Sequence, residues 1–117
     1  MISLRDRTKA FALRIVQAYA ALPKSELARV LGRQLLRSGT SVGAHCREAY
    51  RSRSDAEIVS KLEVALQELD ETNYWLELIV ESNIMSSRRL QPLMEEANEI
   101  TAIIVSSVKT IKRRMKR

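Results

Sequence analysis

Between Gln34 and Asp55 the chain reads QLLRSGTSVGAHCREAYRSRSD. The flanks of this stretch have the pattern of a long amphipathic helix, but its middle is built from small or weakly polar residues. Ser38, Gly39, Ser41, Gly43 and Ala44 stand where Leu and Ile would normally supply a core. Each glycine inside a helix costs roughly 1 kcal/mol relative to alanine, so such a run is kept where a second backbone must come close. Gly39 and Gly43 form a small-xxx-small pair, which outside a membrane is a packing device. The stretch therefore points to close helix–helix packing and not to a catalytic cleft.

The rest of the chain supplies the partners. Leu4, Thr8, Phe11, Ile15, Ala18 and Leu22 alternate steps of four and three, predicting a helix over residues 4–22 that Pro23 ends. Ser25 is a natural N-cap for a second helix over 25–50, whose inner face is read as Leu27, Leu31, Gln34/Leu35, Ser38, Val42, His45 and Ala49. Ser54-Asp55-Ala56-Glu57 is a capping box opening a third helix over 55–83, with a stripe at Ile58, Leu62, Ala65, Leu69, Thr72, Leu76 and Ile79. Asn83 is placed as its C-cap. A fourth helix over 87–115 carries Leu90, Met94, Ala97, Thr101, Ile104, Val108, Ile111 and Met115. Short connections make consecutive helices antiparallel neighbours, so the expected fold is an all-α, up-down-up-down four-helix bundle in a single domain, 1–117.

Two segments are apolar on more faces than one bundle core needs: Trp75 to Val80, and Ile100 to Val108. Trp75, Leu78, Val80, Ile100 and Ile103 are accordingly assigned to the interface of a homo-oligomer, the alternative being a wider core within one chain.

Charge falls into blocks. Residues 1–53 carry eleven Lys/Arg against three Asp/Glu, residues 54–83 one against eight, and residues 84–117 eight against three. The net +6 makes an anionic partner such as RNA or DNA plausible, with solubility as the alternative reading. Arg47 and Arg51 share a helix face and Arg53 follows at the corner, where guanidinium forks suit phosphate and Tyr50 offers a stacking surface. The competing reading pairs these arginines with acids of the third helix, such as Glu57, Glu63 or Glu68. Lys112, Arg113, Arg114 and Lys116, with Lys109 and Arg117, form a second basic group that either binds phosphate or complements the helix terminus.

His45 and Glu48 lie three apart and, with Gln34 and Ser38, are read as a buried hydrogen-bond network fixing helix register; Gly39, Ser41 and Gly43 share that packing role. One His and one Cys are too few for a metal site, and no nucleotide-binding or nucleophile motif occurs. No metal, cofactor or enzymatic activity is expected. A single Cys suits a reducing compartment, and neither a secretory signal nor an apolar run of the ~18–20 residues that span a bilayer is read, so the expected location is the cytoplasm.

The run from Leu22 to Thr72 resembles the 23S rRNA intervening-sequence protein family. The likeness rests on Leu22-Pro23, Glu26, Gln34, Arg37-Ser38, Ser41-Val42, Glu48, Arg53-Ser54, Leu62, Ala65 and Glu68. The chain departs from the family pattern at His45 (usually Asn), Cys46 (Ile), Ala49 (Gly) and Ala56 (Phe or another large residue). The resemblance implies a four-helix bundle assembling into a homopentamer. Genes of the family can lie inside insertions in 23S rRNA genes, and a related branch accompanies diversity-generating retroelements, where a basic pentamer works with a reverse transcriptase and nucleic acid. RNA, a ribosomal component or an encoded reverse transcriptase are therefore the partners expected, though membership fixes fold and assembly better than function.

Overall fold

Four serine- or turn-based caps divide the chain. A computed structural model describes residues 2–117, and among them four helices and no strand are found: α1 (Leu4–Ala21), α2 (Glu26–Tyr50), α3 (Asp55–Glu81) and α4 (Ser87–Met115). Ser3, Ser25, Ser54 and Ser86 each accept a hydrogen bond from the backbone N–H three residues on, satisfying one orphan donor at each helix start. The return half of the α3 capping box differs from expectation. The Glu57 carboxylate accepts from the N–H of Arg53, one residue before the cap, at 3.0 Å.

α3 also stops two residues early. Ser82 is its C-cap, and Asn83 adopts a left-handed φ of 58°. Ile84 N–H donates to Ile79 O and Asn83 N–H to Val80 O, both at 3.0 Å, which closes a Schellman turn with asparagine in the position glycine usually takes. In α4, Pro92 is exposed in the second turn, where its missing N–H leaves the Arg88 carbonyl without its intrahelical donor.

The helices form a bundle of 53 × 22 × 21 Å, α1 and α3 each packing on both α2 and α4. Between α1 and α2, Thr8 lies by Gly43, Ile15 by Gly39, and Tyr19 by Gly32. Glu48 meets Lys61 and Ser38 meets Thr72 between α2 and α3. Asp55 meets Arg114 and Asn73 meets Asn98 between α3 and α4.

Small residues line the inner face of α2, whose phase differs from the expected one. Its buried face is Ala28, Gly32, Leu35, Gly39, Val42, Gly43, Cys46 and Ala49, with Ser38 beside them. Leu27, read as inward, is 53% exposed, and His45 is only half-buried. The glycines explain why. A Cβ on Gly39 would stand 2.6–2.9 Å from three carbons of the fully buried Ile15, and one on Gly32 2.8 Å from Leu22. α1 occupies the space that larger α2 side chains would need.

On α3, Leu62, Ala65, Leu69, Thr72, Leu76 and Ile79 are buried, with Val59 taking the place of Ile58. On α4 the buried set is Leu90, Leu93, Ala97, Ile100, Ile104 and Val108. The sequence pattern assigns Ile100 to an outer interface, and the structure corrects this. Ile100 is 0% exposed and belongs to the core, while Thr101 turns partly outward.

Candidate nucleic-acid interface

The basic residues singled out in the sequence divide into paired and unpaired groups. Lys112 Nζ donates to Glu63 Oε2 at 3.2 Å. Arg114 grips Asp55 with both arms of its guanidinium, Nε to Oδ2 at 3.0 Å and Nη2 to Oδ1 at 2.7 Å. Arg114 holds the Asp55 carboxyl below its ordinary range, chiefly through these hydrogen bonds. Two of the six tail cations are thus ion-paired, which neither reading of the tail expects: Lys112 and Arg114 tie the end of α4 to α3. Arg113 and Lys116 are exposed and engage no carboxylate among the described residues.

Arg47, Arg51 and Arg53 behave differently. All are exposed, and among the described residues no carboxylate pairs with them. Of the acids considered as their partners, Glu63 pairs with Lys112 and Glu57 with the Arg53 backbone, while Glu68 forms no ion pair among the described residues; Glu48, on α2 itself, pairs with Lys61 Nζ at 2.9 Å. Lys61 lowers the Glu48 pKa by hydrogen bonding, so Glu48 stays a carboxylate and turns toward α3. Arg47 and Arg51 line one concavity of about 220 Å³ with Tyr50 and with Arg5 from the start of α1. Arg53 sits at the α2–α3 corner and does not line it.

Arg5 does not stand out in the sequence. The register that sets Thr8 against Gly43 carries one turn further to set Arg5 beside Arg47, so the signal lies in helix pairing and not in any local motif. Tyr50 also lines a second, mostly apolar concavity of about 280 Å³ with Leu4, Cys46, Ala49, Ile58, Leu62, Ser107 and Ile111. The two hollows meet at the end of the bundle where α1 and α3 begin and α2 and α4 finish.

The register network is smaller than expected. Ser38 and Thr72 carry it: the Thr72 hydroxyl lies 3.0 Å from Ser38 Oγ and 2.7 Å from Glu68 O, its one proton serving either, while Ser38 donates to Leu35 O at 3.3 Å. Gln34 and His45 take no part in these bonds. His45 Nδ1 stands 3.7 Å from Glu48 Oε2, too far for a hydrogen bond, and is buried with no hydrogen-bond partner among the described residues. Ser41 bonds back to its own helix at Arg37 O, 2.6 Å away. Cys46 lies in the core, where burial pushes its thiol up to about 11 against a smaller opposing pull from Thr8, so it stays protonated at neutral pH. Among the described residues no three His, Cys, Asp or Glu side chains converge as a metal site would require, and no helix is long and apolar enough to cross a membrane.

The seam between α1 and α4 is closed by Arg7, whose Nε and Nη2 donate to the two Glu96 oxygens, both at 2.9 Å, with Glu99 at 3.4 Å. Arg7 lowers the Glu96 pKa, mainly by hydrogen bonding. A carboxylate with a depressed folded pKa stabilises the fold above its unfolded value of about 4.3 and stops doing so as pH falls through the folded value. Glu96→Gln will cost about 1–2 kcal/mol at pH 7. In chemical denaturation at stepped pH, its gap to the parent protein will be constant from neutral pH to about 5 and will close below about 4.

Known proteins share this architecture. The family model for the "23S rRNA-intervening sequence protein" matches residues 3–106. A crystal structure of a protein of unknown function from the S23 ribosomal protein family of Bacteroides thetaiotaomicron VPI-5482 superposes with a TM-score of 0.86 at 36% identity, covering 92% of this chain and 99% of that one. No curated protein matches the chain. With the match spanning most of its length, the chain belongs to the 23S rRNA-intervening sequence protein family.

Proposed function

We propose that this protein is a non-catalytic, antiparallel up-down-up-down bundle that forms a cytoplasmic homo-oligomer and binds RNA, alone or within a ribonucleoprotein. The observation that carries the reading is the convergence of Arg5, Arg47 and Arg51 on one hollow with no carboxylate paired to them among the described residues. Three arginines converging on one hollow repel one another, and a bound phosphate relieves that repulsion. The family description ties related proteins to 23S rRNA, and the solved relative carries a ribosomal-protein family name.

Self-association draws support from exposed apolar side chains. Leu13 and Val16 on α1, Leu27 and Val30 on α2, and Tyr74 and Ile103 on the other side are all open to solvent in the single chain. Of the interface positions read from the sequence, Ile103 is exposed, Trp75, Leu78 and Val80 are half-buried, and Ile100 is withdrawn. A ring is the assembly suggested by family resemblance.

A second reading, a scaffold for an encoded protein such as a reverse transcriptase, is favoured by a different surface. Asp70, Glu71, Asn73, Tyr74, Trp75 and Glu77 line a hollow of about 370 Å³ on α3, with Tyr74 edge-on to Trp75 at 5.1 Å. Hydrogen bonding with Glu68 raises the Glu71 pKa, a sign of crowded carboxylates suited to a cationic partner.

Titration of a labelled RNA at two salt concentrations separates the two. RNA binding that weakens steeply with salt supports the first reading; absence of binding at low salt rejects it. A protein partner captured after nuclease treatment supports the second.

A further inference from the structure

The geometry points to an unpaired nucleotide, and not a duplex, as the ligand of the α1–α2 end: its phosphate lies among Arg5, Arg47 and Arg51, and its base stacks on Tyr50 over the adjoining apolar hollow. The inference rests on the RNA-binding reading and goes further by naming the form of the nucleic acid.

Two hollows of opposite chemistry share one wall. The basic one presents three guanidinium groups and no acid; the other is floored by Leu4, Cys46, Ala49, Ile58, Leu62 and Ile111. Tyr50 belongs to both and is 60% exposed, a large flat ring at a helix end that nothing covers in the single chain. A nucleotide has the matching halves: an anion at one end and a flat face of mixed polarity at the other. Base faces inside a duplex are already stacked on their neighbours, so only an unstacked base from a loop, bulge or single strand can offer its face to Tyr50. The basic hollow alone would accept either form, because phosphate contacts carry no such selection. The adjoining apolar surface supplies the preference. An acidic peptide would satisfy the arginines but gives no reason for a bare aromatic ring beside a mostly apolar floor.

The test compares a fluorescein-labelled oligouridylate of about ten nucleotides, a length within the site sizes of single-strand binders, with an RNA duplex of equal length, at low salt. The full-length protein is expected to bind the single strand more tightly. Tyr50→Ala will weaken single-strand binding roughly tenfold and duplex binding little, erasing the preference, and Tyr50→Phe will restore it because the ring face is kept. Arg47→Ala will weaken both forms together. Tyr50 is exposed at the helix end, so the variants will fold, and circular dichroism will check them. Equal binding of both forms with no effect of Tyr50→Ala overturns this inference and leaves RNA binding standing. Failure to bind either form overturns both. Displacement of RNA by polyglutamate in equal proportion for parent and Tyr50→Ala would show a general anion site and overturns the stacking role.

Discussion

Gly39→Leu will destabilise the bundle by more than about 3 kcal/mol, seen as a large drop in the denaturant midpoint at fixed protein concentration. Even the first carbon of a side chain at residue 39 would stand 2.6, 2.8 and 2.9 Å from Ile15 carbons. Ile15 is fully buried, so it cannot swing into solvent, and α1 itself must move. Gly39→Ala tests the same contact more gently. Overpacking costs about 1–3 kcal/mol, the better helix propensity of alanine returns about 1, and a net loss of about 1 kcal/mol is expected. Gly43→Ala is the internal control. Its added Cβ meets Thr8 at 3.5 Å, an ordinary contact, so this variant will be unchanged or more stable by up to ~1 kcal/mol. Trimming the neighbour with Ile15→Val will recover part of the Gly39→Ala loss, a coupling expected only of residues that touch. If the two alanine variants shift stability equally and in the same direction, the close approach of α1 to α2 is wrong.

The second large effect lies at the surface. Arg47→Ala with Arg51→Ala will lower affinity for single-stranded RNA at least tenfold at low salt. The slope of log affinity against log salt will become shallower by about 1.4, since each phosphate that a cation neutralises on a single strand accounts for about 0.7. Lys112→Ala with Arg114→Ala removes the same amount of charge from the other end of the sequence, yet will change affinity far less, because those cations are occupied by Glu63 and Asp55. Net charge is matched in the two double variants, so a difference between them reports placement and not overall electrostatics. Equal weakening in both would mean that the whole basic surface acts diffusely.

The α3 stripe is legible in the sequence because its apolar residues recur at one spacing from Leu62 to Ile79 while charges and amides fill most outward positions; only its first turn shifts, from Ile58 to Val59. On α2 the same pattern favours Leu27 over Ala28, since periodicity weights side chains by size. There the core is defined by how near α1 comes, and alanine and glycine are inward because they are small. On α4, Leu93 and Ile100 face the core beside Leu90, Ala97 and Ile104, because a helix wedged between two neighbours buries a wider band than a single stripe. A narrow stripe therefore puts Ile100 on the wrong side.

Half of the candidate site is legible in the same way. Arg47 and Arg51 are visible as a pair on one helix face, and Tyr50 as a stacking surface. Arg5 enters only through the register between α1 and α2. Which cations are neutralised does not follow from the sequence, since Glu57, Glu63 and Glu68 are equally placed to reach the arginines at the end of α2. The structure gives Glu63 to Lys112 and turns Glu57 to a backbone N–H.

Copies of this bundle are expected to join into one particle whose arginines take up RNA. The most direct test is the mass of the protein in solution, without and with RNA, at low and high salt. The expected mass is two or more times that of the 13.3 kDa chain at both salts, increased by RNA only at low salt. A 13.3 kDa particle that gains no mass from RNA at low salt would contradict it.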